Sequence, residues 1–124
     1  MSDKKRILLV DDEPSILKMV RKRLEVAGYD VTVAMDGEEA LNQAKQMKPS
    51  LMILDLMLPK LNGYEVCAAV KKDPDLKGIP VILLTARVQE KDEKEGLLCG
   101  ADCYMRKPFQ SQELVERVRS LTDG

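Results

Sequence analysis

Short, continuously apolar runs alternate with segments of helical period along the chain, and this alternation constrains the fold more than any other feature. Ile7-Leu8-Leu9-Val10 predicts a first buried strand. Ile16, Val20 and Leu24, with Leu17 beside them, predict a helix that Gly28 stops. Residues 30–34 predict a second, more polar strand, nearer a sheet edge. Ala40, Leu41, Ala44 and Met47 mark the inward face of a second helix, closed before Pro49. Residues 51–54 predict a third apolar strand, and a Pro-Lys-Leu-Asn-Gly loop follows. Tyr64, Cys67 and Val70 or Lys71 then face inward on a third helix. Residues 80–84 predict a fourth strand, with Pro80 tolerated at its start. A charged helix is expected from about residue 90 to 99, with Leu97 and Leu98 inward and Gly100 ending it. Residues 102–105 predict a short fifth strand, and Leu114, Val115, Val118 and Leu121 face inward on a last helix.

Five strands alternating with five helices imply an α/β fold: a doubly wound (βα)5 parallel sheet with helices on both faces. The 124 residues hold no repeat, low-complexity tract or linker, so residues 1–124 are expected to form a single domain. Composition removes several function classes. Twenty basic residues balance 21 acidic ones, which gives no electrostatic footprint for nucleic acid or an anionic membrane. With no histidine, Ser-His and Cys-His catalysis and His-containing metal sites are excluded. No apolar run is long enough for a signal peptide or a membrane span, which predicts a cytoplasmic protein. Three cysteines in a reducing compartment make a disulfide framework improbable, and buried Cys as a small hydrophobe is the commoner case.

Right-handed crossovers place every strand's C-terminal end on one edge of a parallel sheet. Asp11 and Asp12 follow the first strand, Asp55 the third, Thr85 the fourth, and Lys107 lies just beyond the fifth. The strand order 2-1-3-4-5, borrowed from flavodoxin-like sheets, puts the ligand crevice between strands one and three, where the acids are. Strands lie ~4.8 Å apart, so Asp55 is expected close to Asp11 and Asp12, just past its strand and exposed in the crevice. Three carboxylates that close push a pKa upward unless a cation neutralises them. An all-oxygen site of few ligands fits Mg²⁺, which prefers to share a phosphate oxygen. Lys107 lies two strand spacings from Asp55, a gap its stem can partly span, and Thr85 offers a hydroxyl one spacing away. Such a set around one carboxylate suits phosphoryl transfer.

The ordered set Asp11-Asp12, Asp55 with Pro59 and Gly63, Thr85-Ala86, and Lys107-Pro108-Phe109 resembles response-regulator receiver domains over nearly the whole chain. The resemblance implies that Asp55 accepts phosphate from a phosphohistidine on a sensor histidine kinase or a histidine phosphotransfer protein. It implies that Asp12, Asp55 and the Met57 main-chain carbonyl bind Mg²⁺, with Asp11 acting through water. Lys107 would neutralise one phosphoryl oxygen and Thr85 would swing to another, with Tyr104 as the aromatic partner of that switch. A surface made by the fourth expected helix, the fifth strand and the last helix would carry the output to an effector domain or target protein, or to a homodimer. The resemblance also implies a cis bond before Pro108. It further implies that Met57 and Arg87 line the approach to the phosphoryl group, where bulky side chains hinder the hydrolytic water. No direct nucleic-acid or membrane contact is expected of this domain.

Other readings compete residue by residue. Asp11-Asp12 could cap a helix ahead of Pro14, Thr85 could be a strand-end hydroxyl, Lys107 a solvated charge, and Tyr104 a core aromatic. Met19, Met35, Met47, Met52, Met57 and Met105 read as core or loop filler. Asp55 has no capping role, because Leu56-Met57-Leu58-Pro59 does not start a helix. Two other functions stay open: a haloacid-dehalogenase-type phosphatase and a receiver-like module that is never phosphorylated. The first would want Asp-x-Asp after the first strand, which Asp55-Leu56-Met57 does not supply.

Overall fold

The computed structural model describes residues 4–58, 60–85, 100–107 and 109–122. Five parallel strands form one sheet in the order β2-β1-β3-β4-β5: β1 Arg6–Val10, β2 Asp30–Ala34, β3 Leu51–Asp55, β4 Val81–Thr85 and β5 Cys103–Arg106. Three helices alternate with the first strands, α1 Pro14–Val26, α2 Gly37–Met47 and α3 Gly63–Lys72, and a C-terminal helix runs Ser111–Thr122. The expected helix at about 90–99 lies outside the described residues, as do Pro59, Arg87, Cys99 and Pro108.

The pleat divides the core. Leu8, Val10, Met52, Leu54, Val81 and Leu83 face the layer of α2 and α3, where Ala40, Ala44, Val66, Cys67 and Val70 are buried. Ile7, Leu9, Leu51, Ile53, Ile82 and Leu84 face α1 and the C-terminal helix, meeting Leu17, Val20, Leu24, Leu114 and Val118. Burial on both faces explains why the inner strands are apolar without alternation. The polar β2 is an edge strand, as its composition implies. The sheet also lies between Cys67, on the α2/α3 side, and Cys103, on the other, and neither is in a disulfide.

Local chemistry sets the helix ends. Pro14 starts α1, where its missing N–H costs nothing. Past the end of α1, Gly28 takes φ +102°, and the Tyr29 and Gly28 amides donate to the Leu24 and Glu25 carbonyls. This six-to-one and five-to-two pairing closes the helix and launches β2 at once. Asp36 caps α2 by accepting from the Glu39 amide at 2.8 Å. Asn62 and Glu65 form a reciprocal capping box at the start of α3.

Four strands and one core position differ from expectation, β4 by running Val81–Thr85 instead of 80–84 and so taking in Thr85. β1 begins at Arg6, and β5 runs Cys103–Arg106 rather than from 102; Asp102 just before it donates its amide to the Val81 carbonyl at 2.9 Å while its carboxylate accepts from the Val81 amide and Lys71. β3 includes Asp55, which pairs with Leu84. On α3 the buried face adds Val66, which the spacing did not single out. Of the methionines, Met52 and Met105 are core, Met47 packs at its rim, and Met19, Met35 and Met57 are exposed.

Candidate functional site

Asp11 leaves the end of β1 with its amide bonded to the Ala34 carbonyl of β2 at 3.2 Å. Its carboxylate is fully buried, and both oxygens are engaged. Oδ1 accepts from the Glu13 amide at 3.0 Å and Oδ2 from the Lys107 ammonium at 3.1 Å. The capping alternative therefore fails: Glu13 is the N-cap of α1, and Asp11 orders the turn before it. Asp12, next in the chain, points to the exposed side.

Asp55 is the last residue of β3 and is only 6% exposed, not a carboxylate standing free past the strand. The ladder continues through it, with the Leu56 amide donating to the Leu84 carbonyl, and the Lys107 ammonium stands over its carboxylate. Lys107 Nζ is 3.5 Å from Asp55 Oδ2, and the Met57 amide donates to Asp55 Oδ1 at 3.4 Å. Oxygens of Asp11, Asp12 and Asp55 all lie within 4.8 Å of one another, which bears out their expected proximity. Lys107 thus spans the two strand spacings from β5 to reach two of the three acids.

Burial pushes the Asp55 carboxyl up to about 6, and the negative charge of Asp11 adds to this against the opposing pull of Lys107 and the Met57 amide. Burial pulls the Lys107 ammonium down, but the bond to Asp11 and the charges of Asp55 and Asp11 outweigh it, so its pKa is raised. Among the described residues, three carboxylates facing one lysine leave an excess of negative charge. A hard divalent cation is the partner that such an oxygen-only donor set fits.

Thr85 closes β4 opposite Arg106, at the strand end expected for it. Its expected switching role concerns a side chain outside the described part of the structure. Tyr104 lies on β5, half-buried, with its hydroxyl 3.0 Å from that of Tyr64. The Tyr64 partnership was not legible from sequence: Tyr64 reads as one more inward residue of α3, and no spacing links it to a residue on β5. Met57, two residues past Asp55, is 76% exposed.

The β3–α3 turn is held at two close contacts. A Cβ on Gly63 would stand 2.6 Å from the Asp55 carbonyl oxygen, and one on Gly37 would stand 2.4 Å from that of Leu61. Only glycine lets α3 start this close to the acceptor strand and α2 start this close to the turn.

Known proteins share this sequence pattern and this fold. The family model described as response regulator receiver domain matches residues 7–119. The alkaline phosphatase synthesis transcriptional regulatory protein PhoP of Bacillus subtilis is 48% identical over 94% of this chain and 48% of its own length. The chain therefore spans about half the length of this curated relative. The receiver domain of a signal transduction histidine kinase from Syntrophus aciditrophicus superposes with a TM-score of 0.92 at 36% identity, covering 97% of this chain and 91% of that one. Chemotaxis response regulator CheY4 of Vibrio cholerae superposes at 0.89 with 33% identity, covering 95% and 98%. On a family match spanning most of its length, a sheet in the flavodoxin-like order and a carboxylate cluster at the strand ends, the chain belongs to the response-regulator receiver domains.

Proposed function

We propose that Asp55 is the phosphoacceptor of a two-component pathway, with residues 1–124 acting as one receiver unit in the cytoplasm. A carboxylate oxygen of Asp55 attacks phosphorus, the phosphorus–nitrogen bond to a donor phosphohistidine breaks, and the imidazole leaves with the electron pair. The product is an acyl phosphate on Asp55. Lys107 supports this reading most directly, because its ammonium already stands between Asp11 and Asp55 and can pair with a phosphoryl oxygen there. Asp12, Asp55 and the Met57 carbonyl would hold Mg²⁺, with Asp11 acting through water. The bound ion supplies charge neutralisation for the incoming phosphoryl group.

The donor set fits a hard cation, since the acids crowd together and burial holds Asp55 well above its ordinary value. Thr85 donates its hydroxyl to a second phosphoryl oxygen, and Tyr104 follows that movement. Phosphorylation adds about −1.5 to −2 charge, and groups that bind it only by moving shift a two-state equilibrium. The surface around the segment before β5, β5 itself and the C-terminal helix carries that shift outward. By analogy with PhoP, which is a transcriptional regulator, its target is an effector of gene regulation.

The test is labelling by acetyl phosphate with Mg²⁺ or with a chelator. The wild-type chain gains one phosphoryl group only with Mg²⁺, and Asp55→Asn gains none. Undiminished labelling of Asp55→Asn would place the acceptor elsewhere, and turnover of simple phosphate esters would favour a phosphatase.

A further inference from the structure

Tyr64 and Tyr104 come from different elements yet meet hydroxyl to hydroxyl at 3.0 Å. Tyr64 is the second residue of α3, and Gly63 before it packs directly on the main chain of Asp55. Tyr104 lies on β5 opposite Leu83, three residues before Lys107. Lys107 in turn reaches to 3.5 Å from the Asp55 carboxylate. The contacts close a ring: Asp55 to Gly63, Tyr64 to Tyr104, and Lys107 back to Asp55. Both tyrosines are half-buried and pack on the α2/α3 side of the sheet, where an unmade hydroxyl bond is costly.

We propose that the Tyr64 hydroxyl is a positioning group for Tyr104. It holds β5 against the start of α3, and so favours the arrangement in which Lys107 meets a phosphoryl group on Asp55. This rests on the phosphoacceptor reading of Asp55 and adds a partner to its switch. In this role Tyr64 acts through Tyr104 and not on a reacting atom. The bond is between neutral groups, so losing it shifts the ratio of held to released Tyr104 by about 2- to 10-fold. By linkage, a phosphoryl analogue that prefers the held form loses affinity by up to the same factor.

Three tyrosines and no tryptophan keep the spectroscopy simple. The full chain, labelled at the tyrosine ring Cζ carbon, is titrated with beryllofluoride in the presence of Mg²⁺. The titration covers the wild type, Tyr64→Phe, Tyr104→Phe and the double variant. In the free chain, Tyr64→Phe is expected to move the Tyr104 resonance. It also raises the beryllofluoride concentration for half-saturation by about 2- to 10-fold, and it has no further effect once residue 104 is Phe. An unmoved Tyr104 resonance, an unchanged titration, or an equal effect in the Tyr104→Phe background each overturns the proposal. A wild-type chain that ignores beryllofluoride sinks the phosphoacceptor reading and this inference with it. A responsive wild type with a silent Tyr64→Phe sinks the inference alone.

Discussion

Burial raises the carboxyl of Asp55, the group on which the proposed chemistry depends. A carboxyl whose pKa rises from 3.8 to about 6 on folding binds more protons in the native chain than in the unfolded one. Its contribution is therefore favourable below about pH 4 and is lost as pH rises through about 6. Without metal, Asp55→Asn is expected to be more stable than wild type at pH 8 by about 1–3 kcal/mol, with the gap closing near pH 4. Denaturant unfolding in a chelator at the two pH values measures this directly. Mg²⁺ should reverse the order by stabilising wild type in proportion to its binding. Lys107→Ala leaves the buried Asp11 carboxylate without its cation, so the metal-free chain should lose roughly 1–3 kcal/mol at pH 8. The same variant should gain more from Mg²⁺ than wild type does, because a competing positive charge has gone. Calorimetric titration gives the affinities, and a weaker Mg²⁺ site in Lys107→Ala would contradict the electrostatic account.

At the level of elements, the two close-packed glycines fix the acceptor turn. A Cβ at Gly37 or Gly63 meets main-chain oxygen, which cannot rotate away as a flexible side chain can. Ala in a helix gains at most about 1 kcal/mol over Gly, whereas overpacking costs about 1–3 kcal/mol, so Gly63→Ala should destabilise the chain. Thermal unfolding decides the sign. Most elements were legible because inner parallel strands must be apolar on both faces and helices must keep a stripe. Leu51 to Leu54 and Ala40 to Ala44 show those two patterns without ambiguity. The end of β3 was not legible, because a carboxylate after an apolar run looks like a strand end facing water. What keeps Asp55 in the ladder is Leu84 beside it, and what covers it is Lys107, 52 positions away (107 − 55). Val66 was missed for a related reason, since its burial depends on where α2 and the Leu61 turn pack.

For the whole molecule, three strands that are distant in sequence deliver Asp11, Asp55 and Lys107 to one edge of the sheet. Apolar strands pair with any neighbour, so the amino-acid pattern alone does not dictate the order 2-1-3-4-5; the register of the paired strands shows it. Once that order is given, the acids and the lysine converge without further assumption, which is why the site was readable as a set and not residue by residue. Tyr64 belonged to no such set. The phosphoacceptor reading requires that phosphate attach to Asp55. Phosphorylating the chain with a phosphohistidine donor and Mg²⁺, reducing with borohydride, and sequencing the peptides by mass spectrometry tests it most directly. An aspartyl phosphate becomes homoserine at its own position. Homoserine is expected at residue 55 alone; homoserine at residue 11 or 12, or none in a chain that carries the label, rules out Asp55 as the acceptor.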